Sequence, residues 1–153
     1  MLSSEDQNLI QTHTAGMVAT VNDDRTPAVS PKATFVVIDA STIAFGNLRS
    51  PNTLANLRQR PQVEVCFIDV IRRRAVRVRG RASVHKRSEA PTRIATQFEA
   101  NWPDLCEHMS HYVEIAVSNA TQIDSPAYDH GATEAALISA NLTKLNDIYG
   151  AED

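Results

Sequence analysis

From Arg74 to Lys86 the chain alternates with period two. Val76, Val78, Gly80 and Ala82 fall on one face, and Arg77, Arg79 and Arg81 on the other. Successive side chains point to opposite sides of a strand, so this pattern predicts a long strand with one buried and one charged face. Around it lie further extended runs: residues 17–21, residues 28–38 interrupted by Pro31, residues 42–45, residues 62–69 and residues 111–117. Pro31 suits an edge or a bulge, because proline has no N–H to give to a ladder. Several runs are joined by short turns, such as Asn22 to Pro27 and Asp39 to Ser41. Such turns cannot carry a parallel crossover, so the strands pair antiparallel.

Helices fill the remaining stretches. Ser4 with Gln7 three residues on reads as a capping box before Leu9 and Ile10. Ser50 and Pro51 open a second helix, serine as a preferred cap and proline at the first helical position, with Leu54 and Leu57 inward. A third helix is read over residues 88–100. A fourth spans residues 133–149, where Ile138, Leu142, Leu145 and Ile148 recur at helical spacing. The order predicts one domain, 1–153, mainly β: a small antiparallel barrel with peripheral helices.

Composition narrows the function. The 153 residues carry 15 basic and 18 acidic side chains, a net charge of −3, which disfavours a dedicated nucleic-acid binder. Six of the 15 basic residues lie at 72–81, but no aromatic residue interleaves them to stack bases. A carboxylate-paired or partner-facing stripe remains open, as does one arginine reaching an anionic ligand. No basic-then-apolar leader and no membrane-length apolar run is visible, so a cytoplasmic protein is expected. Cys66 and Cys106 make no disulfide framework. Cys106, His108 and His111 match no closed zinc pattern, so no metal is expected. No Gly-x-Ser-x-Gly elbow supports hydrolase chemistry.

Chemistry is best supported where Ser30, Pro31 and Lys32 in an extended segment are joined by Asn47 to Thr53, the loop leading into the second helix. A helix start offers unpaired N–H groups and a positive dipole end. The hydroxyls of Ser50 and Thr53, the Asn52 amide and one lysine would complete a site for a phosphate dianion. The plainer reading is that Ser50 only caps and Lys32 is only a surface charge.

From Gly16 to Ala82 the sequence resembles the FMN-binding split-barrel family that includes pyridoxamine 5′-phosphate oxidase. The matching pieces are Met17 to Val21, Pro27 to Lys32, Ile43 to Asn47, Ser50 to Leu57, Arg60 to Val65 and Val76 to Ala82. The resemblance implies a six-stranded antiparallel split β-barrel, a homodimer and FMN in the groove between subunits. Lys32, Ser50, Asn52 and Thr53 would contact the flavin phosphate. Val29 and Ser30 would run along the isoalloxazine edge, and Asn47 with Gly46 would hold the ribityl chain or phosphate.

The sequence departs from the oxidase itself. Pro51 and Asn52 stand where the oxidase has a basic pair, and its C-terminal Trp and Arg substrate motif is not found after Tyr128. The vitamin oxidase activity is therefore not carried over. The expectation is an FMN flavoprotein and oxidoreductase of unassigned substrate, in which the cofactor performs the redox chemistry and no acid–base residue is required. A deazaflavin-dependent reductase is the alternative within the family, and a non-catalytic flavin-binding or redox-sensing module is the alternative outside enzymology. Trp102 and Tyr128 stand between two roles, packing or covering a flavin.

Overall fold

Two residues, Ala33 and Thr34, determine how the sheet closes. The computed structural model describes residues 1–150. Its strands are β1 (Gly16–Val21), β2 (Pro27–Lys32), β3 (Phe35–Asp39), β4 (Thr42–Asn47), β5 (Gln62–Asp69), β6 (Arg74–Lys86) and β7 (His111–Asp124). Four helices accompany them: α1 (Ser4–Thr12), α2 (Pro51–Gln59), α3 (Thr92–Asn101) and α4 (Glu134–Tyr149). All neighbouring strands pair antiparallel in the order β2-β1-β5-β6-β7-β4-β3.

Strands β2 and β3 follow one another in the chain yet sit at opposite edges of that order. Three Cα steps from Lys32 to Phe35 span at most about 11 Å. The sheet must therefore curl until its edges meet, and the seam is bridged by chain rather than by a ladder. This is a split barrel of seven strands, not the six expected. The extended run over residues 28–38 divides at Ala33-Thr34, where the Thr34 hydroxyl donates to the Gly46 carbonyl (2.7 Å) and the Gly46 N–H donates to the Thr34 carbonyl (3.2 Å). Pro31 does lie on an edge strand, as its missing donor requires.

Alternation on β6 holds as read: Val76, Val78, Gly80 and Ala82 are buried, while Arg77, Arg79 and Arg81 are exposed. Strand β7 runs seven residues past its expected end, to Asp124, because β6 pairs with it on both sides of a bulge at Ser118. The apolar signal fades after Val117, so the pattern alone stops short. The barrel interior holds Val18, Phe35, Phe45, Val65, Phe67, Val78, Val113 and Ile115, joined by Ile10 of α1 and by Leu54 and Leu57 of α2. Burying a side chain of the size of Leu57 contributes roughly 1.5–3 kcal/mol. A second cluster forms where α3 sets Ile94 and Phe98 against Val36, Ala44, Met109 and Tyr112, with the Phe98 and Tyr112 rings stacked at 4.2 Å.

Helix starts shift by small amounts. The α1 cap is Ser3, not Ser4: Ser3 Oγ accepts from the Asp6 N–H (3.1 Å), and Asp6 Oδ2 accepts from the Ser3 N–H (2.8 Å). An aspartate completes the box as well as the Gln7 the spacing suggested. Helix α3 begins at Thr92, after a 3₁₀ turn over Arg87–Glu89 and Pro91. Helix α4 forms where expected, but none of its residues is buried.

Candidate functional site

Strand β2 orients the site. Side chains alternate along it, so Ser30 and Lys32 share one face while Val29 and Pro31 take the other. Lys32 is only 8% exposed. Its ammonium donates to Ser30 Oγ (2.6 Å) and to Ser50 Oγ at the start of α2. No carboxylate pairs with it among the described residues, and burial alone pushes its pKa below the ordinary lysine value.

Ser50 occupies the N-cap position, but its hydroxyl is turned to Lys32 and makes no capping bond. This corrects the expected Ser50 cap. Pro51 brings no N–H, and the Leu54 N–H closes on the Ser50 carbonyl at 3.2 Å. The N–H groups of Asn52 and Thr53 are thus the unpaired donors of this helix start, beside a buried cation.

The other residues of the expected site are placed as follows. Thr53 is buried on the first turn of α2. Asn52 is exposed and donates to Asn22 Oδ1 (3.2 Å) in the β1–β2 turn. Asn47, the last residue of β4, is 3% exposed; its amide donates to Ser110 Oγ (3.4 Å), and its Oδ1 has no partner. Gly46 has both backbone groups engaged with Thr34, and a Cβ there would overlap the Met109 thioether. It packs the strand and sets Asn47 in position. Val29 is 65% exposed on the opposite face of β2 from Lys32. Lys32, Ser30 and Ser50 therefore converge, with Asn52 and Thr53 next to them on the helix turn, whereas Val29 and Gly46 do not join that cluster.

Three residues that the sequence reading passed over complete the surroundings. Asn56, buried in α2, donates to Thr20 Oγ1 and Asn22 Oδ1, both at 3.0 Å, and fixes the helix start against β1. Arg60 donates to the Val21 carbonyl (2.9 Å) and pairs with Asp23 (2.5 Å). Ser110 holds Asn47 from β7's leading turn. An asparagine inside an apolar helix face was the available signal for Asn56; the other two depend on contacts between distant segments.

The arginine stripe is largely paired with carboxylates. Glu64 accepts Arg77 (2.8 Å) and Arg79 (3.2 Å), and Arg74 meets Glu5, Asp124 and Glu134. Arg72 meets Asp69 (3.3 Å) and Glu134 (3.4 Å). A phosphate track would need these cations free. Among the described residues no group of three metal-ligating side chains gathers. Trp102 donates to the Phe35 carbonyl (3.4 Å), and the Tyr128 hydroxyl donates to the Arg72 carbonyl (2.6 Å), so both have packing roles within this chain. Among the described residues no helix is long and apolar enough to cross a membrane.

The fold is an antiparallel split barrel, with Lys32 buried against Ser30 and Ser50 beside its seam. The family model described as pyridoxamine 5′-phosphate oxidase matches residues 2–129, and the chain belongs to that family. No curated protein matches it. Among solved structures, HupZ of Group A Streptococcus superposes with a TM-score of 0.67 at 23% identity, over 82% of this chain and 96% of that one. An FMN-binding protein from Syntrophomonas wolfei subsp. wolfei gives 0.65 at 11% identity, over 78% and 84%. An F420 reductase gives 0.59 at 18% identity, over 75% and 94%.

Proposed function

We propose that this protein binds FMN and acts as an oxidoreductase, as a homodimer. One observation carries the reading: a buried ammonium, Lys32, has no counter-ion among the described residues, beside the uncapped start of α2. A desolvated cation is costly unless an anion meets it. The helix dipole and the Asn52 and Thr53 N–H groups favour the same negative charge. A phosphate monoester supplies it, so the donor set fits the flavin phosphate.

Lys32, Ser50, Asn52 and Thr53 hold that phosphate. Asn47 Oδ1, buried without a donor, accepts from a ribityl hydroxyl. Strand β2 pairs only with β1, so its outer edge has backbone groups free to bond the ring near Val29 and Ser30. Gly46 contributes by placing Asn47. When bound, the flavin supplies hydride or electron transfer at N5, and the protein's task is to bind and orient it.

The dimer rests on exposed apolar surface. Leu142 and Ile148 of α4 are 46% and 57% exposed, and Met17 and Val29 lie uncovered on the outer face of β1 and β2. A second reading, a deazaflavin in the same groove, is favoured by the likeness to an F420 reductase. Such a cofactor carries a longer anionic tail and asks for more cations near the start of α2 than the Lys32 and Arg49 found there.

An absorbance spectrum between about 350 and 500 nm tests the cofactor. Protein that is colourless as purified and stays so after incubation with FMN overturns the proposal. Parallel titrations of FMN and a deazaflavin separate the two readings by affinity.

A further inference from the structure

On the far side of Asn47, residues Lys86, Arg87, His108, Ser110 and His111 line an open cleft of about 410 Å³. Its cations differ from those of the arginine stripe. Arg87 has no carboxylate partner among the described residues. Neither does Arg58, which lies outside the lining and whose Nη2 donates instead to His111 Nε2 (3.0 Å). Lys86 meets only Glu89, at 3.5 Å and with both side chains mostly exposed. His108 lies 3.5 Å from Glu107, the one acid lining the cleft.

The hydrogen bonds fix the chemistry of His111. Arginine only donates, so His111 Nε2 accepts and the ring is neutral with its proton on Nδ1. That Nδ1–H donates to Ser110 Oγ (2.9 Å), and the Ser110 hydroxyl donates to the Asn47 carbonyl (3.3 Å). The cleft and the buried Asn47 are therefore joined by a continuous chain: Arg58, His111, Ser110, Asn47.

We infer that this cleft binds the anionic group, phosphate or carboxylate, of a small-molecule substrate, held by Lys86 and Arg87 with Arg58 and His111 behind them. Cations that outnumber the acids around a concavity constitute a preformed anion site, stronger than any one of them on an open surface. The chain to Asn47 places the bound group beside the groove assigned to flavin, so its role as a substrate subsite rests on that reading; anion binding itself does not. Burial, Arg58 and Lys86 all push the His111 pKa down from 6.5, the behaviour of a ring in an uncompensated positive field. A bound anion would reverse that field, which makes His111 the reporter.

Inorganic phosphate is the probe, followed through the His111 imidazole NMR signals across pH. Phosphate is expected to raise the His111 midpoint saturably, since a nearby anion favours the imidazolium. The exposed double variant K86A/R87A should bind phosphate about tenfold or more weakly, and K32A should leave the response intact. No shift, an equal shift in chloride of matched ionic strength, or an unchanged response in K86A/R87A would overturn the inference. FMN occupancy is read separately by absorbance: a His111 response without flavin binding sinks the proposed function and leaves the anion site. Flavin binding without a His111 response sinks the anion site alone.

Discussion

Replacing Lys32 with methionine separates a lysine kept for a ligand from one kept for the fold. In the free protein the ammonium is 8% exposed, bonded to two serine hydroxyls and faced by no acid among the described residues. Methionine has similar length and no charge to desolvate, so the cost of burying the cation disappears along with two hydrogen bonds. These effects oppose each other, and the ligand-free K32M protein is expected to lie within about 1 kcal/mol of wild type. Flavin binding has no such compensation. Loss of a charge-assisted contact to phosphate removes about 1.5–3 kcal/mol, a ten- to hundredfold rise in Kd.

The pH dependence has a definite sign. Burial lowers the folded-state pKa of Lys32 below its ordinary 10.5, so above the folded value the unfolded chain binds more protons. Free wild-type protein therefore gains stability relative to K32M as pH rises through the folded value towards 10.5, and the difference is constant beyond. Urea unfolding at several pH values and FMN titration by absorbance measure the two quantities. A K32M variant destabilised by several kcal/mol, or one that binds FMN as tightly as wild type, would refute the assignment of this lysine to a phosphate.

Three further outcomes are expected. Burial by itself raises the Asp69 carboxyl, but the N–H groups of Arg72 and Ile71, with His13 and Arg72, carry it below its usual 3.8. D69N should then cost about 1–3 kcal/mol at neutral pH. The gap should close as pH falls through the folded-state value, checked by denaturant melts in acid. G46A should destabilise by about 1–3 kcal/mol because the added methyl meets Met109, and G46A/M109A should cost less than the sum of the two single changes in the same melts. L142D, on the exposed apolar side of α4, should convert a dimer into a monomer with its thermal melt little changed, as read by light scattering and calorimetry.

Strand β6 was legible because alternation is local: buried valines and exposed arginines follow from neighbouring positions alone. The division of residues 28–38 into β2 and β3 was not. Both halves are equally extended, and only their different partners, β1 for one and β4 for the other, show that the chain crosses the barrel seam between them. The far half of β7 was missed for a related reason, since Asn119, Thr121 and Gln122 are strand only because β6 pairs with them. At the candidate site Lys32, Ser50 and Thr53 could be picked out from residue type and helix-start chemistry. Their company could not: Asn56, Arg60 and Ser110 reach the site across large separations in sequence.

What the chain settles by itself is its four helices, most of its strands, their antiparallel pairing and the start of α2, because periodicity, short turns and a proline act over a few residues. The folded structure alone decides that Ser50 gives up its cap to meet Lys32, and that, among the described residues, most of the stripe's arginines are neutralised while those near His111 are not and Lys32 is buried without an acid. Those facts depend on charges and hydroxyls brought together by sheet closure, and the energy of a charge is set by what surrounds it rather than by its place in the chain.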